Sequence, residues 1–297
     1  MKNKRKLTPW LYSMPALILI GMVIVFPIIY TGYISLTNMN LFHWSNYEFI
    51  GLSNYSRALL KADSGFLGAL FTTLLWTTLN MVIQVVVAYF IALGFQREDL
   101  KGKRVYKTLL MFPWAMPAYV SILLWRVGIY NTEFGLLNKI LVALGFGKVN
   151  FLSTNVPAFL SCMTLNLWMA LPFMIMMIDG ALSSIDRSYY ESAELDGAGF
   201  WSKNIHIPVP AMKGIIAPAV IMTTFTTFKQ FDIVYLLTMQ KGAYSGATLQ
   251  TIITYAQQNA FVSNNYGLSS AVSIIIFFLI MVFSLFTNRG VKEENYD

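Results

Sequence analysis

Apolar residues in this chain fall into six long runs, separated by short polar stretches, near residues 10–33, 66–95, 105–127, 156–178, 214–237 and 266–286. A helix needs about 20 residues to cross a ~30 Å hydrocarbon core, and each run supplies that length. The pattern predicts six transmembrane helices and an all-α integral membrane protein. The second run sits in an uncharged stretch from Ser64 to Gln96, whereas the fifth is interrupted by Lys229 and Asp232. The three-residue spacing of that charged pair permits a salt bridge on one helical face, with a structural or gate-lining role rather than proton coupling. Asp179, at the end of the fourth run, reads as a solvated interfacial residue.

Charge then orients the runs. Fourteen Lys and Arg residues fall on one side: Lys2, Lys4, Arg5 and Lys6, the group from Arg97 to Lys107, Arg187, Lys203 and Lys213, and Arg289 and Lys292. Five fall on the other: Arg57, Lys61, Lys139, Lys148 and Lys241. Positive loops remain in the cytoplasm, so both termini are expected inside. The net charge of +7 is thereby topological and needs no nucleic-acid partner.

Composition supports the membrane class, with 56% hydrophobic and 12% charged residues against about a quarter charged in soluble domains. The first run is longer than a signal-peptide core and lacks a small-x-small site after it, so it reads as a retained helix. No loop is long enough for a separate soluble domain, and the whole chain, 1–297, reads as one transmembrane domain. Cys162 stands alone, and His43 and His206 lack ligand spacing, so no metal site is expected. There is no phosphate-binding Gly-x-x-x-x-Gly-Lys-Ser/Thr loop. ATP chemistry, if any, must come from another polypeptide.

One polar island, residues 184–210, is patterned beyond the needs of a connector. Ser188 and Glu191 have capping-box spacing, Gly197 and Gly199 suit a left-handed stop, and Pro208 and Pro210 suit the end of a second short helix over Phe200–His206. A helical hairpin follows, with Tyr189, Tyr190, Phe200 and Trp201 as anchors. Its spacing alone leaves open a hairpin resting in the lipid headgroups.

Glu191, Ser192, Ala193, Gly197, Ile207, Val209 and Pro210 resemble the cytoplasmic coupling loop of ABC importer permeases, whose motif runs Glu-Ala-Ala, three residues, Gly, nine residues, Ile, any residue, Leu-Pro. The spacing holds throughout, with Ser192 for Ala and Val209 for Leu. The resemblance extends along the chain. Phe49–Tyr55, Phe112–Pro117, Phe134–Asn138 and Tyr266–Ala271 are similar to the corresponding segments of sugar permeases. The stretches 166–172 and 196–199 are most similar to maltose/maltodextrin permeases of the MalF type. Met239–Gly242 departs from the family's Gly-Gly-Pro turn.

The resemblance implies a type I importer permease fold in a bacterial or archaeal cytoplasmic membrane. It implies ATP-driven import of oligosaccharides of the maltose or maltodextrin type, with another oligosaccharide or a polyol as alternatives. The chain would be a transport subunit and not an enzyme. Implied partners are a second homologous permease, two ATPase subunits carrying ATP and Mg, and an extracytoplasmic sugar-binding protein; this chain itself would bind no cofactor. Glu191, Ser192, Ala193, Asp196, Gly197, Ile207 and Pro210 would couple to the ATPase. Trp114, Asn166, Met169, Ala170, Phe173, Thr223, Thr226, Thr227 and Gln230 fall where such permeases contact sugar.

Simpler roles stay open for several of these residues. Threonines often pack helices in membranes, Trp114 suits an interfacial anchor, and Asn166 could bridge two helices. An ion-coupled secondary transporter would require an intramembrane carboxylate and tends to show internal repeats, and no such repeat is visible.

Overall fold

The computed structural model describes residues 2–61, 65–239 and 249–293. Helices dominate, and among the described residues the only β pairing is an isolated bridge between Thr37 and Phe49. Among the described residues, five helical stretches are long and apolar enough to span a membrane, and a sixth exists if one bent pair counts as a single span. Contacts divide the chain into two compact units, 1–69 with 252–282 and 70–251 with 283–297.

The first unit opens with α1 (Lys2–Ile20), a π-helical turn (Gly21–Val25) and α2 (Phe26–Ser35). Met22, Val23, Phe26 and Ile29 along it are exposed, as lipid-facing positions of a membrane helix must be. After α3 (Ser53–Leu60), the chain leaves for the second unit and returns in α13 (Ile252–Phe261) and α14 (Tyr266–Glu293). The Phe49–Tyr55 and Tyr266–Ala271 segments, far apart in sequence, meet here. Asn54 donates to the carbonyls of Ser35 and Thr37 at 2.9 and 2.8 Å, and the Gly267 amide donates to Met39 at 2.9 Å. A Cβ on Gly267 would collide with the Thr37 carbonyl, so only glycine permits this approach.

The second unit is built from α4 (Phe66–Gln96), α5 (Lys103–Ala115), α6 (Ala118–Leu124), α7 (Leu136–Ala143), α8 (Asn155–Ser183), α9 (Arg187–Leu195), α10 (Phe200–His206), α11 (Pro208–Phe228) and α12 (Asp232–Val234), α4 entering it at Leu70. Helix α8 packs against α5 and α11. One core gathers Trp76, Ile122, Cys162, Leu165, Ile233 and Leu237. A second gathers Met81, Ala88, Met174, Ile175, Ile178 and Met212.

Two spans and one side chain differ from the sequence expectation. The third is not one helix over 105–127, because it breaks between Ala115 and Ala118 with a bend of 93°. Pro117 drives the residue before it out of helical geometry, and Met116 is accordingly extended at φ −75°, ψ 142°. The fifth is not one helix over 214–237. Helix α11 starts at Pro208 and ends at Lys229, and the chain resumes in α12 and a π-helical turn, Tyr235–Met239. Lys229 and Asp232 therefore do not share a helical face, and no ion pair joins them among those described. Asp179 is buried rather than solvated. It pairs with Lys107 at 2.5 Å and accepts from Gln96 at 3.0 Å. The departure expected at Met239–Gly242 lies largely outside the described residues.

Candidate functional site

The breaks in the third and fifth spans open a cavity of about 470 Å³ in the second unit. All nine residues singled out for sugar contact line it: Trp114 from the end of α5, Asn166, Met169, Ala170 and Phe173 from α8, and Thr223, Thr226, Thr227 and Gln230 from the end of α11 and the break after it. Positions 166, 169, 170 and 173 recur at three and four residues, so one face of α8 supplies all four. Prolines and irregular backbone at membrane depth persist only where protein or a water-filled cavity surrounds them. That condition holds here.

Aromatic and polar parts of the lining are distinct. Trp114 and Phe173 stack with centroids 6.1 Å apart and planes 15° apart, leaving Trp114 half exposed. Asn166 donates to Asn80 of α4 at 2.8 Å. It thus both bridges two helices and lines the cavity. Thr226 donates its hydroxyl to the Thr223 carbonyl at 2.9 Å, and the Thr227 carbonyl receives the Trp76 indole N–H at 3.2 Å.

Pro113, Met116, Ala118, Met222, Ile233, Gln84 and Asp232 also line the cavity and were not anticipated. Gln84 is fully buried, its amide nitrogen donates to the Ala170 carbonyl at 3.0 Å, and its Oε1 has no partner. Its signal was present in the sequence. Asn80 and Gln84 are four residues apart in an otherwise uncharged span, a spacing that points both at one neighbour.

The island at 184–210 forms the expected hairpin by partly different means. Asp186, not Ser188, caps α9, its carboxylate accepting from the Ser188 amide at 2.9 Å. That backbone bond lowers the Asp186 pKa. Ser188 lies inside the helix, and Glu191 faces Arg187 at 3.6 Å instead of closing a capping box. Asp186 has the extended backbone an N-cap requires, at φ −64° and ψ 131°, whereas Ser188 is already helical.

Gly197 ends α9 at φ +75°. The Ala198 amide reaches the Ala193 carbonyl at 2.9 Å and the Gly197 amide reaches Glu194 at 3.0 Å, the double bond of a Schellman stop. Gly199 caps α10 in extended geometry. Pro208 begins α11 instead of merely closing α10, since a first-turn proline loses no helical hydrogen bond.

The hairpin is held to the unit on one side and bare on the other. Tyr89 donates to the Asn204 carbonyl, Phe90 meets Trp201 edge-on at 6.3 Å, and Arg187 pairs with Glu98 at 2.7 Å. Lys203 clips α10 to Glu194 of α9, and this bond holds the Glu194 carboxyl below its usual range. Glu191, Ser192, Asp196 and Gly197 are exposed. Ala193 and Ile207 are half-buried, and Pro210 is exposed. Beside them Leu195 is 91% exposed, with Tyr189, Phe200 and Trp201 also largely bare. Such an apolar cluster ringed by charge is a surface of the kind that meets a partner protein or a membrane.

Residues 84–291 match the family described as binding-protein-dependent transport system inner membrane component. The trehalose/maltose transport system permease protein MalF of Thermococcus litoralis is 31% identical over 285 residues, covering 96% of this chain and 94% of that protein. The galactooligosaccharides transport system permease protein GanP of Bacillus subtilis is 28% identical, covering 96% of this chain and 70% of that protein. Among solved structures, a chain of a bacterial importer of the acidic polysaccharide alginate superposes with a TM-score of 0.81 at 21% identity, covering 99% of both chains.

Proposed function

Because the chain belongs to the binding-protein-dependent transport system inner membrane components, multi-pass proteins of the cytoplasmic membrane, we propose that it is the permease subunit of an ATP-driven importer of neutral oligosaccharides, maltose or maltodextrin in type. Both termini and the 184–210 hairpin face the cytoplasm in this reading, following the charge asymmetry of the loops. The observation that carries it is the convergence of a stacked aromatic pair, an asparagine, three threonines and a glutamine on one cavity. Saccharides need an aromatic face for ring C–H groups and fixed polar groups for hydroxyls, and a site built to bond hydroxyls rejects ligands lacking them. Relatives named for trehalose/maltose and for maltodextrin support the choice, and one named for galactooligosaccharides is the alternative.

The chain works in this reading with a second, homologous permease, two ATPase subunits and an extracytoplasmic binding protein. ATP and Mg are held by the ATPase. Glu191, Ser192, Ala193, Asp196, Gly197, Ile207 and Pro210 belong to the hairpin that seats there, with Leu195 as its apolar tip. Closing of the ATPase pair draws the hairpin with it, and α8 and α11 rock to open the cavity outward. Only contacts that differ between the two ATPase states can drive this shift. Substrate passes from the binding protein to the cavity, and hydrolysis restores the inward-open arrangement.

ATP hydrolysis by the complete complex in lipid, with its binding protein and a panel of saccharides, tests the reading. Stimulation by maltodextrins is expected. Stimulation by galactooligosaccharides alone would move the substrate, and failure of any ATPase to assemble with the chain would overturn the permease assignment.

A further inference from the structure

Building on the saccharide reading of the cavity, we propose that Asp232 makes this site charge-selective, admitting uncharged or amino-bearing saccharides and rejecting uronates. Asp232 is the one acidic side chain among the described lining residues, and no Lys, Arg or His stands with it. Its carboxylate is exposed and has no ion-pair partner among the described residues. The chain break after α11 puts it there, since Lys229 caps that helix and Asp232 opens the next.

One neighbouring hydroxyl shares its bias. Thr226 spends its only O–H on a helix carbonyl, so it meets a ligand as an acceptor. Gln84 and Asn166 each commit an amide N–H within the protein, and Gln84 keeps a buried Oε1 without a donor. Saccharide hydroxyls can donate to the Asp232 carboxylate and to the Thr226 oxygen. A uronate carboxylate only accepts and carries like charge, and like charges brought close repel even where solvent partly screens them. Alginate, carried by an importer whose chain shares this fold, is such an acidic saccharide.

The test is direct binding to the full complex in lipid nanodiscs, by equilibrium dialysis of labelled maltotriose and of maltotriose oxidised at one C6 to a uronate. The wild type should prefer the neutral ligand by about tenfold or more. Asp232→Asn should remove most of that preference, Asp232→Glu should keep it, and Asp232→Lys should reverse it. Equal binding of both ligands by the wild type would overturn the charge selection while leaving the saccharide reading intact. A preference unchanged in Asp232→Asn and Asp232→Lys would overturn the role of Asp232. Binding of neither ligand would overturn the saccharide reading, and this inference with it.

Discussion

Replacing Lys107 with Met should destabilise the protein more than neutralising its partner, and neutralising both should restore much of the loss. The Lys107 ammonium lies 2.5 Å from Asp179, with side-chain exposures of 28% and 7%. Asp179 otherwise receives one neutral donor, the Gln96 amide at 3.0 Å, which also reaches Ser183 at 3.1 Å. Removing the cation leaves a buried carboxylate with that single amide, a loss of about 3–5 kcal/mol. Asp179→Asn is milder, about 1 kcal/mol, because Asn keeps an acceptor for Gln96 and the long lysine can turn toward solvent. In the double variant no buried charge remains, so adding Asp179→Asn to Lys107→Met should recover about 2 kcal/mol. The cycle is measured by equilibrium unfolding of the purified chain in mixed micelles with rising SDS. Additive losses, with a coupling below about 0.5 kcal/mol, would show that the pair behaves as an exposed one and would refute the reasoning.

Three further outcomes are expected. Gly197→Asp should insert normally but reduce ATP-driven uptake by about tenfold or more, since a side chain at φ +75° is strained by about 1–2 kcal/mol; Gly197→Asn, which tolerates that geometry better, should retain more uptake, and equal uptake by all three proteins would contradict the need for a left-handed turn in the coupling hairpin. Gln230→Ala should change the order of preference in a saccharide uptake panel while leaving complex assembly intact, and an unchanged order would remove Gln230 from the cavity's function. Glu194 is held below its usual carboxyl range by Lys203, so the clip contributes fully above the unfolded carboxyl value, about 4.3, and is lost as pH falls through the lowered folded value; spin labels at positions 195 and 202 should keep a narrow distance distribution at neutral pH and broaden on acidification, and a Glu194→Gln variant as narrow as the parent at neutral pH would contradict the clip.

The sequence carried the apolar spans, the hairpin and nine of the residues that line the cavity, because hydropathy and motif spacing are local properties. Positions 166, 169, 170 and 173 could be placed on one face from helical periodicity alone. What it concealed depends on where helices break and what crosses between them. Pro117 announced irregularity in the third span, but only three-dimensional packing shows a bend of 93°. Nothing in the run of residues 214–237 except two charges marks the interruption at Lys229, and that interruption separates Asp232 from the helix it was expected to share. Asp179 looked solvated because its partner lies 72 residues away on another helix, and an ion pair of that separation leaves no periodic trace. Asp186 took the cap from Ser188 since both residues offer a capping oxygen and the choice turns on backbone geometry. Asn80 and Gln84 were readable in principle, as polar residues four apart in an apolar span.

Uptake of labelled maltotriose into proteoliposomes holding the complete complex, with binding protein on the substrate side and ATP on the other, tests the central claim most directly. Saturable uptake that requires ATP, is lost without the binding protein and is indifferent to a collapsed ion gradient is the predicted result. Uptake driven by an ion gradient without ATP, or none with any saccharide, would contradict it.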